Sequence, residues 1–155
     1  SIPELFLMAI KNKLSAYLFV YGSLRMACGH PLNQLIYQHA DYIGNGWLQG
    51  RLYWVDDYPG AIPSNNPQQR VFGEIYRLRD PERVLTALDL YEECSDAFPK
   101  PHEYQRQALP INTTSHHAII AWTYIYRRPV NEASCIQSGD WLLAQATKPG
   151  SDRLN

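Results

Sequence analysis

Cysteine is scarce in this chain, with three residues among 155: Cys28, Cys94 and Cys135. An odd number of widely spaced cysteines argues against a disulfide framework and is typical of a reducing compartment. We therefore predict a cytoplasmic protein whose fold does not depend on disulfide bonds.

Clustered metal ligands are also lacking. Cys28 and His30 form a short Cys-Gly-His segment, but no second pair of cysteines or histidines stands at ligand spacing. His116 and His117 are adjacent, and adjacent side chains on a strand point to opposite faces, so they cannot readily bind one ion together. We expect no bound metal ion.

Strong net charge and long apolar runs are absent as well. The formal net charge of −1 gives no electrostatic reason to expect binding to nucleic acid or to an anionic membrane. No stretch approaches the roughly 20 apolar residues of a membrane span. The short apolar run within residues 1–15 follows Pro3 and Glu4 rather than a positive segment, so we expect a short helix or arm lying on the domain and not a signal peptide.

What is present fits an ordinary soluble domain. Apolar residues make up 45% of the chain and charged residues 19%, and 155 residues can bury a substantial core. We predict a single domain over residues 1–155, with a core at about 16–146, an N-terminal arm at 1–15 and a C-terminal tail at 148–155.

Hydrophobic periodicity predicts one main helix among about six strands. Glycines at positions 44, 46 and 50 interrupt one strand and predict bulges or bends. The fold class is therefore α+β, with a small, mixed, barrel-like curled sheet. The predicted strands are 17–21, 41–55, 70–78, 102–109 and 117–127, with a short helix at 31–39, a turn at 56–60, a loop at 63–69, the main helix at 81–94 and an irregular loop at 95–101.

The main helix carries one acid on its apolar side. Asp80 is a suitable N-cap, and Pro81 fits the first helical position. Glu92 continues the apolar stripe at helical spacing, so its carboxyl group should face the interior, where burial raises the pKa toward the range of a general acid–base group. The water-facing stripe is Glu82, Thr86, Asp89 and Glu93, and the apolar stripe is Val84, Leu85, Leu88 and Glu92.

A structural interpretation of Glu92 stays open beside the catalytic one. The residue is close to the C-terminal end of the predicted helix, where a side chain can lean into solvent. An inward glutamate at such a position also often pairs with an arginine or a backbone amide.

The segment Tyr21-Gly-Ser-Leu-Arg is the second candidate site. A buried strand that stops at Gly22 can expose the backbone N–H groups of Gly22, Ser23 and Leu24, which would suit a carboxylate or an oxyanion. Ser23 invites a hydrolase hypothesis, but the G-x-S-x-G elbow and a recognisable base are missing. The lysine and the spacing of a phosphate-binding loop are missing too.

Tyrosine is unusually frequent, with eleven residues. Several could form pocket walls, although core packing with a satisfied hydroxyl group is the alternative for each. Arg106 could pair with an acid or with a substrate carboxylate, or could lie on the surface. The candidate pocket tyrosines are Tyr21, Tyr58, Tyr104, Tyr124 and Tyr126.

Six short motifs occur in a fixed order over about residues 17–126. They are YGSLR, DYPGAI, V-x-GE-x-Y, LDLYE, Y-x-R and AWTYIY. In order and spacing this string resembles the gamma-glutamylcyclotransferase-like family, whose members carry Y-G-[ST]-L near the N-terminus and L-D-x-x-E at a helix end.

The resemblance implies a barrel-like fold with a ligand cavity and a cofactor-free reaction on a small γ-glutamyl substrate. The α-amino group of the substrate attacks its own γ-carbonyl and releases 5-oxoproline with an amine or amino acid. Glu92 matches the family's L-D-x-x-E glutamate, which moves protons, and the backbone of Gly22, Ser23 and Leu24 matches the loop that holds the substrate's carboxylate end. Two alternatives are a non-catalytic ligand-binding or protein-interaction module on the same fold, and a hydrolase that uses Ser23 or Cys28.

Overall fold

The computed structural model describes residues 3–5, 15–25, 28–92 and 103–147. Most of the predicted N-terminal arm, the C-terminal tail at 148–155 and the predicted loop at 95–101 lie outside these residues. The strands are β1 (Tyr17–Val20), β2 (Ala40–Val55), β3 (Tyr58–Pro63), β4 (Arg70–Leu78), β5 (Tyr104–Thr113), β6 (Ala118–Tyr126) and β7 (Cys135–Ile136). The helices with described bounds are α1 (Asn33–His39), α2 (Pro81–Tyr91) and α3 (Trp141–Thr147).

Five strands close into a barrel in the order β1, β4, β2, β3, β6 and back to β1. The pairs are antiparallel except at two junctions with β6, where Leu18 pairs with Trp122 and Ala61 pairs with Ile125 in parallel. Strand β5 pairs along β6 and also touches β2, and β7 pairs with β2. The α+β class and the mixed, barrel-like sheet predicted from periodicity are confirmed.

Strand β2 bends as it runs around the barrel, and its glycines allow this at a β-bulge and at a close contact with β5. A β-bulge lies between Tyr42 and Gly44, at the first of the predicted interruptions. At Gly46 a Cβ atom would lie 2.5 Å from the carbonyl oxygen of Asn112, so only glycine allows β5 to approach β2 here.

Helix α2 follows the predicted pattern at its start and in its apolar stripe. The Asp80 side chain accepts a hydrogen bond from the Arg83 amide at 3.3 Å, and the buried residues are Val84, Leu85 and Leu88. These three side chains belong to a core cluster with Leu18 of β1. The helix ends at Tyr91, with Glu92 as its C-cap, whereas the rest of the predicted span, 93–94, lies outside the described residues.

One prediction about local structure was wrong, and one helix was missed. Only Asp56 and Asp57 form the turn. Tyr58–Pro63 is a strand, because each of its residues pairs with a residue of β2. Helix α3 was not predicted, although Asp140 signals its start by accepting a hydrogen bond from the Leu142 amide at 3.0 Å. None of the helices that the structure describes is both long and apolar enough to cross a membrane.

Candidate active site

A pocket of about 300 Å³ opens where the end of β1 faces the C-terminal end of α2. Eight of the predicted site residues line this pocket: Tyr21, Gly22, Ser23, Leu24, Tyr58, Glu92, Tyr104 and Tyr124. The other described lining residues are Phe19, Val20, Pro59, Tyr91 and Glu103. The fold therefore brings together segments that are more than 100 residues apart in the chain.

The loop after β1 forms one end of the pocket. The Arg25 amide donates to the Gly22 carbonyl oxygen at 2.9 Å, which closes a tight turn. Among the described residues, the amides of Gly22, Ser23 and Leu24 have no hydrogen-bond partner. Gly22 is required by close approach, since a Cβ atom there would lie 2.5 Å from Cγ of Pro59. The turn thus offers backbone donors beside the pocket.

Arg25 fixes this loop from the side away from the pocket. Its side chain is buried, with Nε 3.5 Å from Oε2 of Glu74 and an Nη atom 3.1 Å from Oδ1 of Asp140. The Tyr76 hydroxyl donates to the other Glu74 oxygen at 2.9 Å. The sequence motif contained Arg25 and Glu74 but did not reveal that they pair, because their contact depends on the antiparallel register of β1 and β4.

Glu92 lies in the pocket at the end of α2. Its amide donates to the Leu88 carbonyl oxygen at 2.8 Å, so the residue caps the helix and turns its side chain toward the cavity. Burial raises the pKa of Glu92 to about 8, and the negative charge of Glu103 contributes to the increase. The inward position and the raised pKa agree with what the helical stripe predicted.

Glu103 is a second acid in the pocket that the sequence analysis missed. The Tyr58 hydroxyl donates to its Oε1 at 2.5 Å. Glu103 lies at the start of the predicted strand 102–109 and immediately precedes β5, and strand periodicity alone does not indicate that it lines a pocket.

Asp89 was predicted to face water on α2, and this prediction was wrong, because its carboxylate is bonded to other side chains. Its carboxylate accepts hydrogen bonds from Arg106 Nε at 2.8 Å and from an Arg106 Nη atom at 3.0 Å. It also accepts from the Tyr124 hydroxyl at 2.7 Å. The reason is that β5 and β6 pack against this side of the helix end and supply a cation and a hydroxyl group. Of the possibilities for Arg106, the structure therefore shows the pair with an acid.

The four predicted tyrosines that line the pocket donate their hydroxyl protons to fixed acceptors of the protein. Tyr21 donates to the Tyr124 carbonyl oxygen at 2.7 Å, and Tyr104 donates to the Pro59 carbonyl oxygen at 2.6 Å. Tyr58 and Tyr124 donate to carboxylates, as described above. Tyr126, the fifth candidate, is absent from the described lining, and its ring packs against Tyr104 at 5.4 Å between centroids.

Hydrogen-bonding capacity is consequently divided between the two sides of the pocket. A hydroxyl group has one proton, so tyrosines that donate to the protein can only accept from a ligand. The tyrosine and glutamate side therefore offers mainly acceptors. Backbone donors come from the turn at Gly22, Ser23 and Leu24.

Features of a thiol or serine hydrolase are weak. Cys28 Sγ lies 3.6 Å from the Gly22 carbonyl oxygen, and burial raises the pKa of its thiol, which disfavours the nucleophilic thiolate. The described pocket lining includes Ser23 but no histidine that could act as its base. Over the described ranges, no group of three potential ligand side chains is placed to hold a metal ion.

The family model for "Gamma-glutamyl cyclotransferase, AIG2-like" matches residues 18–143. The chain belongs to this family. It is 36% identical over 126 residues to the gamma-glutamylcyclotransferase family protein YtfP of Escherichia coli K12, covering 81% of this chain and 95% of that protein. The family resemblance expected from the ordered motifs is confirmed.

Solved structures of other proteins share the fold. An AIG2-like protein of Mus musculus is 25% identical and superimposes with a TM-score of 0.58, covering 76% of this chain and 80% of that chain. An uncharacterized protein of Pyrococcus horikoshii, at 20% identity, gives a TM-score of 0.59 over 85% of this chain and 94% of that chain. Family membership supports a cyclotransferase-like activity on a small γ-glutamyl compound.

Proposed function

We propose that this protein is a cofactor-free γ-glutamyl cyclotransferase. The α-amino group of a γ-glutamyl substrate attacks the substrate's own γ-carbonyl carbon, and the products are 5-oxoproline and an amine or amino acid. The observation that supports this best is the meeting, in one pocket, of an acid whose pKa is about 8 and a turn whose backbone amides have no partner among the described residues.

Glu92 is the proton carrier in this proposal. As a carboxylate it takes a proton from the substrate's ammonium group, which frees the nitrogen lone pair. That nitrogen forms a bond to the γ-carbonyl carbon, and the carbonyl electron pair moves onto oxygen. When the pair returns, the bond from carbon to the leaving nitrogen breaks as Glu92 gives its proton to that nitrogen. The Glu92 carboxylate then takes the second proton from the ring nitrogen, which leaves the neutral lactam, and passes it to the released amine. A pKa of about 8 suits these transfers near neutral pH.

The turn after β1 holds the substrate's α-carboxylate. The amides of Gly22, Ser23 and Leu24 can donate to an anion without losing hydrogen bonds to the described part of the protein. With this end fixed, the α-amino group and the γ-carbonyl meet within one bound molecule. Such intramolecular reactions gain a large rate advantage from orientation alone, which is why no cofactor is required.

The dimensions of the pocket fit a small molecule. Its volume of about 300 Å³ lies at the lower end of the range for small-molecule sites, roughly 300–1,000 Å³. A glutamyl group fills such a space, and the leaving group extends toward the mouth. Tyr58 and Glu103 also line this pocket.

The test is to incubate the purified protein with a γ-glutamyl amine, a γ-glutamyl amino acid and a γ-glutamyl dipeptide. Mass spectrometry then follows 5-oxoproline, free glutamate and the released amine. The proposal predicts 5-oxoproline and amine in equal amounts from at least one compound. Free glutamate instead would indicate a hydrolase, and binding without any product would indicate a non-catalytic module.

A further inference from the structure

The Asp89 carboxylate joins three elements behind the pocket wall. It lies in the last turn of α2, accepts two hydrogen bonds from Arg106 of β5 and accepts one from Tyr124 of β6. The Arg106 guanidinium in turn lies 4.2 Å from the ring centroid of Trp122. Because both carboxylate oxygens are held by a guanidinium that is itself stacked, Asp89 has little freedom to rotate.

This arrangement determines how Tyr124 can interact with a ligand. The single hydroxyl proton of Tyr124 is directed to Asp89 at 2.7 Å, so its oxygen can only accept a hydrogen bond from a ligand. Tyr124 lines the pocket that also contains Glu92. Burial, the bond to Asp89 and, more weakly, the charge of Glu92 raise the pKa of the Tyr124 hydroxyl, so it remains protonated.

The other three predicted pocket tyrosines are less suited to this role. The Tyr21 oxygen already accepts a hydrogen bond from the Ala61 amide at 3.2 Å. Tyr58 is directed to Glu103, and Tyr104 is directed to a neutral carbonyl oxygen. Only Tyr124, among these four, is fixed by a carboxylate that carries its own bidentate arginine.

We propose that Asp89 is a positioning residue that makes Tyr124 the hydrogen-bond acceptor for the α-amino group of the substrate. This inference rests on the proposed cyclotransferase function. After Glu92 has taken one proton from the ammonium group, Tyr124 accepts a hydrogen bond from one of the remaining N–H groups. The nitrogen is then held at two points, and its lone pair is directed at the γ-carbonyl carbon.

The predicted consequence is selectivity for ligands that carry the amino group. L-Glutamate and glutarate share both carboxylates and differ in the α-amino group, and neither has the amide bond that would be cleaved. The ratio of their dissociation constants, measured by calorimetry at pH 7, isolates the contribution of that group. We expect wild-type protein to bind L-glutamate about tenfold or more tighter, as for a hydrogen bond to a charged group.

Three variants test which side chains produce the preference for L-glutamate. Tyr124→Phe and Asp89→Asn should each reduce the preference for L-glutamate by about tenfold and leave the dissociation constant for glutarate within about twofold of wild type. Tyr53→Phe is the matched control, because Tyr53 also donates to a carboxylate, Glu132 at 3.0 Å, but lies outside the described pocket lining. It should retain the full preference.

The outcomes are separable from those of the proposed function. A wild-type protein that does not prefer L-glutamate, or Tyr124→Phe protein that keeps the wild-type preference, overturns the role of Tyr124. If Tyr124→Phe loses the preference and folded Asp89→Asn keeps it, the role of Asp89 is overturned. Production of 5-oxoproline is measured separately, so cyclotransferase activity can be demonstrated even if the roles of Tyr124 and Asp89 are disproved.

Discussion

Glu103 opposes the ionisation of Glu92 across the pocket. Burial is the larger cause of the raised pKa of Glu92, and the charge of Glu103 adds to it. Tyr58 holds Glu103 in place through its hydroxyl group. The strength of the proposed general base therefore depends on a neighbour that precedes β5 and is not part of the helix that carries Glu92.

Replacing Glu103 with glutamine should shift the pH dependence of turnover to lower pH. Glu92 acts first as a base, so kcat/KM rises with pH as Glu92 loses its proton. Without the Glu103 charge the pKa of Glu92 falls from about 8, and the rising limb moves by several tenths of a unit to about one unit, because burial remains.

The matched control for that experiment is Glu132→Gln. Glu132 also accepts a hydrogen bond from a tyrosine, but it lies outside the described pocket lining. Its replacement should leave the rising limb of kcat/KM where it is in wild type. If the rising limb of kcat/KM in Glu103→Gln protein lies at the same pH as in wild type, Glu103 does not influence the pKa of Glu92.

The raised pKa of Glu92 also predicts how stability changes with pH. Folding raises this pKa from an ordinary value near 4.5 to about 8, so the folded state binds more protons between these values. The contribution of protonated Glu92 to stability is fully present below the unfolded pKa and is lost as pH rises through about 8. Urea denaturation at pH 5, 7 and 9 should show Glu92→Gln gaining stability relative to wild type as pH increases. A constant difference between the two proteins would contradict the burial of this carboxyl group.

Gly22 should not tolerate a side chain. A Cβ atom there would lie 2.5 Å from Cγ of Pro59, so Gly22→Ala should lower the free energy of unfolding by about 1–3 kcal/mol and displace the turn that carries the proposed anion-binding amides. Chemical denaturation and KM for a γ-glutamyl substrate measure the two effects. A double-mutant cycle with Pro59→Ala is the control, since removing Cγ should restore part of the loss. If the two changes in unfolding free energy are strictly additive, contact with Pro59 is not the reason that Gly22→Ala loses stability.

Arg25 should be needed for stability of the loop. Arg25→Met leaves Glu74 and Asp140 without their buried cation and should cost about 3–5 kcal/mol in the free energy of unfolding. The matched control is Arg77→Met, which breaks an exposed pair with Asp41 and should cost about 1 kcal/mol or less. If thermal denaturation shows equal losses of stability in the two variants, the buried ion pairs of Arg25 contribute no more than the exposed pair of Arg77.

Periodic segments were predictable from the sequence, whereas contacts across the barrel were not. The stripe on α2 placed Glu92 inside because its position follows from the helix alone. The same reasoning misplaced Asp89, since periodicity separates apolar from polar faces but does not reveal that Arg106 and Tyr124 will pack against a polar one. The sequence predicts a turn over part of Tyr58–Pro63 because Pro-Gly favours turns locally, whereas in the structure pairing with β2 overrides that preference.

The central claim is that Glu92 carries the proton in cyclisation, and initial rates of 5-oxoproline release by wild-type and Glu92→Gln protein test it most directly. Glutamine keeps the size of the side chain and removes the titrating group. The rate should fall by at least about 10²-fold while the far-UV circular dichroism stays unchanged. Ser23→Ala, measured in parallel, should be milder. A folded Glu92→Gln protein that releases 5-oxoproline at the wild-type rate would contradict the claim.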